Sequence, residues 1–462
     1  MKFANIRRVH FVGIGGIGMS GIAEILINQG FSVSGSDLVL SDVTQRLAEL
    51  GAVICEGHRP EHVRGADVVV FSSAVGPENP ELAEAARRHI PTIRRAEMLA
   101  EVMRLHYGIA VAGTHGKTTT TSMLGTILIN GGFDPTVIVG GKLHAFGDTN
   151  ARLGKGDFMV VEADEFDRSF LQLSPTIAVL TSLEEEHLDI YENIEDLKSA
   201  FVEFANKVPF YGFIALCLDE PALQDILPRL SRKVITFGLS SQSDVQAVDL
   251  AQQGHVTSFT IVRVGVELGR ISLGVPGEYN VRNALGAAVT ALELGIPFET
   301  VKSSLDAFTG VFRRFEIRAE IGDVLVVDDY AHHPSEVRET LRGIKAGWRR
   351  RVVCVFQPHT YTRTRDFAAG FGRAFMNADV LVVTDVYPAR EKPIQGVTGE
   401  LIAEAARRHG HKHVRYVPDK AEVPALLMDI VQPGDLVITM GAGDIYRYGA
   451  EFIDSYRRKT QE

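Results

Sequence analysis

The chain has 462 residues, too long for one ordinary domain and, at about 150 residues per domain, suited to about three. Its 45% apolar fraction supplies ample core, while a formal net charge of -10 leaves no basic excess to displace counterions and so argues against nucleic acid as a general partner. Three cysteines, Cys55, Cys217 and Cys354, lie in or beside apolar runs without CxxC spacing and read as small core residues in a reducing compartment.

Arg7 and Arg8 before the apolar stretch Val9 to Ile27 imitate the start of a signal peptide, but five glycines and Glu24 interrupt that stretch. Strand, turn and helix explain it better. No other stretch approaches a membrane span, so a cytoplasmic location without membrane insertion is expected. The first block then reads strand Val9 to Val12, helix Gly18 to Asn28, strand Val33 to Ser36, helix Val43 to Leu50 and strand Val68 to Ser72. Such alternation predicts parallel βαβ units.

Gly13-Ile14-Gly15-Gly16-Ile17-Gly18 follows the first of these strands and opens a helix, the context in which GxGxxG cradles a diphosphate. Gly15, Gly16 and Ile17 would supply backbone N–H groups, Asp37 at the end of the second strand a ribose contact, and Ser72-Ser73 after the third further donors. Read alone, the motif favours a dinucleotide oxidoreductase over other nucleotide ligands; glycines used only for helix-strand packing are the third reading.

A second block opens with the strand Ile109 to Ala112, followed by Gly113-Thr114-His115-Gly116-Lys117-Thr118-Thr119 and a predicted helix. Such a turn lets N–H groups approach a phosphate, Lys117 reach the β/γ-phosphates and the Thr118 hydroxyl hold magnesium. The usual GxxxxGK[ST] spacing would place Gly at 111, where the chain has Val111. Two acidic strand ends follow: Glu162-Ala163-Asp164-Glu165 after Phe158 to Val161, and Glu184-Glu185-Glu186-His187-Leu188-Asp189 after Ile177 to Thr181. Carboxylates beside a P-loop suit a magnesium that bridges phosphates. His187 reads either as a metal ligand or as a capping or surface histidine, and the acidic runs alternatively as solvated loops.

A third block begins near Arg314, with strands Val324 to Asp328, Arg351 to Phe356, Val380 to Thr384 and Leu436 to Thr439. Three α/β domains are therefore expected: a Rossmann-like 1–107, a P-loop ATPase-like 108–313 and a Rossmann-like 314–462. Nothing in the sequence speaks to oligomeric state.

In chain order, GIGGIGMSG, GTHGKTTT, VEADE with FDRSFL, EHLDIY, GEYNVRNALGAA (Gly277 to Ala288), GVFRRFE, DDYAHHP and FQPHTYTRTRD together resemble the Mur ligase family, nearly from end to end. The resemblance implies ADP-forming amide synthesis with ATP and Mg2+, the sugar nucleotide UDP-N-acetylmuramate on the first domain, and L-alanine on the third. It reassigns the early GxGxxG to a UDP diphosphate. It implies ATP binding by the Gly113 to Thr119 loop, metal binding by Thr118, Glu162 and His187, an adenine pocket with Asn280 and Asn283, Arg314 near the phosphates and Asp328 or Asp329 near the ribose. Tyr330, His332, His359 and Arg363 would surround the amino acid. Lys117, Glu162, His187, Arg314 and His332 would carry the chemistry, with domain closure bringing three substrates together.

The chain departs from the family pattern at three positions. Tyr279 stands where alanine-adding members usually show His, Thr360 where many carry Arg, and Val202 where later members of the pathway carry a carbamylated lysine. The last favours the alanine-adding branch or the related tripeptide-recycling branch. Arg363 reads as the clamp for the amino-acid carboxylate or, alternatively, as a surface charge beside Asp366.

Overall fold

The computed structural model describes residues 6–72, 74–143, 149–186, 190–389 and 391–461. Their strands form three sheets. The first contains β1 (Arg8–Val12), β2 (Ser32–Asp37), β3 (Val53–Glu56), β4 (Val68–Phe71) and β5 (Thr92–Arg94), in the order β3-β2-β1-β4-β5 and parallel throughout. Val9, Phe11, Val12 and Val68 to Val70 are all buried, as strands covered on both faces require. The chain leaves β1 for β2 on one side and returns to β4 on the other. The turn after β1 therefore opens into a switch-point crevice, where α/β sheets bind ligands.

The second sheet contains β6 (Tyr107–Ala112), β7 (Thr136–Leu143), β8 (Thr149–Arg152), β9 (Phe158–Ala163), β10 (Ile177–Leu180), β11 (Phe213–Cys217), β12 (Val234–Gly238), β13 (Val245–Gln253), β14 (Val256–Arg263) and β15 (Val266–Leu273). Its order is β15-β14-β13-β12-β11-β10-β6-β9-β7-β8. Because β6 lies between β10 and β9, side chains at the ends of both neighbours reach the loop that follows it. The expected parallel alternation stops at β13. Two-residue turns, Gly254-His255 and Val264-Gly265, join the last three strands, and φ is +48° and +79° across the second turn, the conformation that closes a tight hairpin.

The third sheet contains β16 (Glu316–Ile321), β17 (Val324–Asp329), β18 (Val352–Phe356), β19 (Val380–Val383), β20 (Val414–Tyr416) and β21 (Leu436–Met440), ordered β16-β17-β21-β18-β19-β20 with only β16 antiparallel. The strand period of two splits its core cleanly. Val352, Cys354 and Phe356 join one apolar cluster and Val353 and Val355 the other.

The first sheet and most of the second share one compact unit, Met1–Val248 with Ile261–Gly269 and Arg282–Leu305; the third sheet, with parts of β13, β14 and β15, lies in a second, Asp249–Thr260 with Arg270–Val281 and Asp306–Glu462. The sequence-based joint at 107 thus separates two sheets of one unit. No helix among the described residues is long and apolar enough to cross a membrane.

Candidate active site

The loop after β6 is held by the end of β10. Thr114 Oγ1 lies 3.1 Å from Ser182 Oγ, the His115 N–H donates to Ser182 Oγ at 2.7 Å, and Thr181 Oγ1 donates to the His115 carbonyl at 2.5 Å. Two glycines allow this path. Gly113 has φ +148°, and a Cβ there would lie 2.1 Å from Thr181 Oγ1; Gly116 has φ +84°, and its Cβ would lie 2.3 Å from Asn283 Oδ1. Gly116 precedes the helix Lys117–Asn130 without any side-chain cap, so no capping side chain takes the first N–H groups of that helix, the arrangement that suits an anion.

Two carboxylates of β9 and its exit meet the helix start. Thr118 Oγ1 donates to Glu162 at 3.2 Å, and the other oxygen of Glu162 accepts from the Gly140 N–H at 2.7 Å. Lys117 Nζ donates to both oxygens of Glu165, at 3.0 and 2.8 Å, and to the Gly113 carbonyl at 2.5 Å. Burial works against the ammonium, but the carboxylates of Glu165 and Asp164 outweigh it and raise the Lys117 pKa. The lysine is therefore a fixed cation. A cradle that a Cβ would fill, a hydroxyl and a carboxylate together fit a magnesium nucleotide, since such a hard cation takes oxygen ligands. Thr119 is buried one position further on. His187 lies outside the described residues.

At the first sheet, Gly15 donates its N–H to Asp37 Oδ2 at 2.8 Å, so Asp37 supports the Gly-rich turn from the neighbouring strand. Gly16 caps the helix Ile17–Asn28 without a side-chain bond, and Ser72 Oγ accepts from the Ala74 N–H at 3.3 Å. Ser73 falls outside the described residues.

The third sheet collects the predicted amino-acid residues. The rings of Tyr330 and His332 lie 5.4 Å apart and those of His332 and His359 5.8 Å, and Arg363 Nη1 donates to His359 Nδ1 at 3.4 Å. Burial, then His332 and Arg363, push the His359 pKa down to about 3, so this imidazole stays neutral at pH 7. His332 Nδ1 donates to the Tyr330 carbonyl at 2.9 Å and lies 3.4 Å from Glu336. Asp366, proposed above as a local partner of Arg363, accepts from Arg365 at 2.7 Å.

Both aspartates at the end of β17 have partners inside the protein. Asp328 accepts from Arg313 Nε at 2.8 Å and Thr439 Oγ1 at 2.6 Å, while Asp329 accepts from the N–H groups of Phe315 and Ala331, each at 2.7 Å. Burial raises Asp329 to about 6, against the pull of Arg314. Arg314 lies over the Tyr330 ring at 5.2 Å and 3.5 Å from Glu336. Asn280, on the helix Glu278–Glu293, donates to the Pro276 carbonyl at 2.8 Å.

Three family models match the chain: the Mur ligase family, catalytic domain over residues 8–107, the Mur ligase middle domain over 111–291 and the Mur ligase, glutamate ligase domain over 313–443. A protein of Geotalea uraniireducens named UDP-N-acetylmuramate--L-alanine ligase is 53% identical over 98% of this chain and 99% of its own. The chain belongs to the Mur ligase family. Among solved structures, the UDP-N-acetylmuramate-alanine ligase of Thermotoga maritima superposes with a TM-score of 0.82 at 28% identity, covering 98% of this chain and 99% of that one. A murein peptide ligase of Psychrobacter arcticus gives 0.71 at 25% identity, with coverage of 98% and 99%.

Beyond the residues predicted from sequence, three others stand against them in this Mur ligase: Glu165 on Lys117, Arg313 on Asp328 and Tyr387 on His359. Glu165 stands inside the VEADE motif, so a signal for it existed. Arg313 is adjacent to the predicted Arg314, and the sequence offers no way to see that the first arginine of the pair is the buried one. Tyr387 stacks on His359 at 5.7 Å with no sequence signal at all, because only the neighbouring loops of β18 and β19 bring them together.

Proposed function

We propose that the chain is an ATP-dependent, ADP-forming ligase that joins L-alanine to the carboxylate of UDP-N-acetylmuramate in peptidoglycan precursor synthesis, and thereby serves cell wall biogenesis, cell shape and division. The observation that carries this reading is the likeness, 53% over nearly the whole chain, to a relative of that name. The tripeptide-recycling alternative rests on a structural likeness at 25% identity and is the weaker reading. An ATP-consuming step of this kind belongs in the cytoplasm. We assign residues 1–107 to the sugar nucleotide, 108–313 to ATP and 314–462 to the amino acid.

A carboxylate is a poor electrophile, so the γ-phosphoryl group of ATP is first transferred to it, giving an acyl phosphate and ADP. The alanine amine then attacks the acyl carbon, the C–O bond to phosphate breaks, and the amide and inorganic phosphate leave. The first step brings anions together and needs cations. Lys117 and Arg314 supply two, and Thr118, Glu162 and His187 are the proposed ligands of Mg2+, which when bound neutralises charge on the phosphate oxygens. Lys117 exchanges Glu165 for phosphate oxygens. Asn280 and Asn283 serve the adenine, Asp328 or Asp329 the ribose, and Gly15, Gly16, Ile17, Asp37, Ser72 and Ser73 the sugar nucleotide. His332 Nε2 takes the proton that the alanine ammonium must lose, beside a neutral His359 and Tyr330.

ADP release with UDP-N-acetylmuramate, tested with free amino acids and the tripeptide in turn, checks the function. Alanine alone should support turnover; turnover with the tripeptide only would overturn it. Arg363 holds the alanine carboxylate in this reading. Arg363→Lys replaces a fork with a point charge and should raise the alanine KM about tenfold with little change in the ATP KM. Steady-state kinetics with an unchanged alanine KM would leave that carboxylate without its proposed partner.

A further inference from the structure

The first sheet buries a carboxylate that the reaction does not use. Glu81, in the first turn of the helix Pro80–Arg87, is fully buried, as are His10 on β1 and Ser36 on β2. Its Oε1 lies 2.7 Å from His62 Nδ1 and accepts from the Arg59 N–H at 3.3 Å. Its Oε2 accepts from Ser36 Oγ at 2.6 Å and faces His10 Nε2 at 3.4 Å and His58 Nδ1 at 3.6 Å. Burial works against the charge, but the bonds from His10, Ser36 and His62 overcome it and hold the carboxyl down at about 2. Beside this polar group, which Ser34 extends by a 2.9 Å bond to His10 Nδ1, Val12, Val63, Val69 and Ala85 form an apolar cluster. A buried charge costs several kcal/mol of desolvation that an apolar side chain of the same volume would not, so packing alone does not account for Glu81.

What distinguishes Glu81 is its route to the Gly-rich turn. Ser36 is the shared residue. Its hydroxyl donates to Glu81, and its carbonyl accepts the N–H groups of Gly13 at 2.8 Å and Ile14 at 3.0 Å. The next residue, Asp37, takes the N–H of Gly15 at 2.8 Å. Ser36 and Asp37 thus fix three successive N–H groups of the turn and aim the first N–H groups of the helix Ile17–Asn28 outward.

We propose that Glu81, gripped by His10, His58 and His62, is a positioning residue for the sugar nucleotide: through the Ser36 hydroxyl it sets the register of β2 against the Gly13 to Gly16 turn that receives the diphosphate. The inference rests on the reading of that turn as the UDP-N-acetylmuramate site. It acts on the binding of one substrate only.

The test uses the full chain with Glu81→Gln, Ser36→Ala and the double variant, measuring UDP-N-acetylmuramate affinity by calorimetry, the KM of each substrate and the thermal midpoint. Each single change should raise the Kd and KM for UDP-N-acetylmuramate about fivefold, the loss of one net hydrogen bond, with the ATP and alanine KM nearly unchanged. The double variant should do no worse than the worse single, since both act through the Ser36 hydroxyl, which bonds Glu81 and meets His58 Nδ1 at 2.9 Å. Ser36→Ala leaves the carboxylate and imidazoles in place and decides the matter alone if Glu81→Gln fails to fold. An unchanged sugar-nucleotide KM, an equal rise for all three substrates, or additive effects would overturn the proposal. A wild-type chain that does not bind UDP-N-acetylmuramate would sink the functional reading itself, whereas binding that the variants leave intact sinks only the role of Glu81.

Discussion

Lys117→Ala should cut turnover about a thousandfold or more, because in the proposed reading it removes the cation beside the Gly113 to Gly116 loop, and loss of a single preorganised donor to developing charge already costs two to three powers of ten. UDP-N-acetylmuramate affinity should stay within about twofold, since its proposed site lies on another sheet. The substitution has a second consequence. Glu165, 1% exposed and bonded to Lys117 at 2.8 Å, becomes a buried carboxylate without its cation, and breaking a buried pair from one side costs about 3 kcal/mol. Combining it with Glu165→Gln should recover much of that stability while leaving turnover absent. Denaturant unfolding and ADP release separate the two effects. Turnover restored in the double variant would show that Lys117 only balances Glu165 and would remove it from the chemistry.

Gly113→Ala is expected to be nearly as damaging for a different reason. The backbone there sits at φ +148°, open essentially to glycine, and the added Cβ would meet Thr181 Oγ1 at 2.1 Å and the Ser182 N–H nitrogen at 2.8 Å. The hydroxyl can rotate away, but the Ser182 backbone belongs to the segment that pins the loop. The cradle must therefore open, at a cost of about 3 kcal/mol and most of the ATP affinity. Gly132→Ala is the matching control. It also has positive φ, +80°, but nothing lies within 4 Å of its Cβ, so it should cost about 1 kcal/mol and leave the ATP KM alone. Equal ATP KM values for the two variants would refute the steric account of the loop.

The Gly-rich turns, the parallel strands before them and the acidic strand ends were legible because their signals are local. A glycine forced by φ, a helix opening after a strand and a run of β-branched residues are properties of a few neighbouring positions. The four strands expected in the third block came out within a residue or two for the same reason, since Val324 to Val327 and Leu436 to Ile438 are continuous apolar runs with no competing period, whereas β16 and the short β20 went unread. The hairpins β13 to β15 were not legible. Their faces are half-exposed and carry Gln, Asp and Glu, which blurs the alternation that marks a strand.

The sequence by itself determined that this chain is a three-sheet α/β Mur ligase with a P-loop after β6, because ordered motifs and local periodicity survive without knowledge of any contact. Tertiary structure alone decided the partners: that Lys117 rests on Glu165, that Arg313 takes Asp328, that Tyr387 meets His359, and that Glu81 reaches the Gly-rich turn through Ser36. Those residues lie from 15 to 48 positions apart in the first two pairs and in the last contact 45 apart. Their meeting depends on strand order and on which loops share a sheet edge, and no local rule of propensity or spacing encodes that.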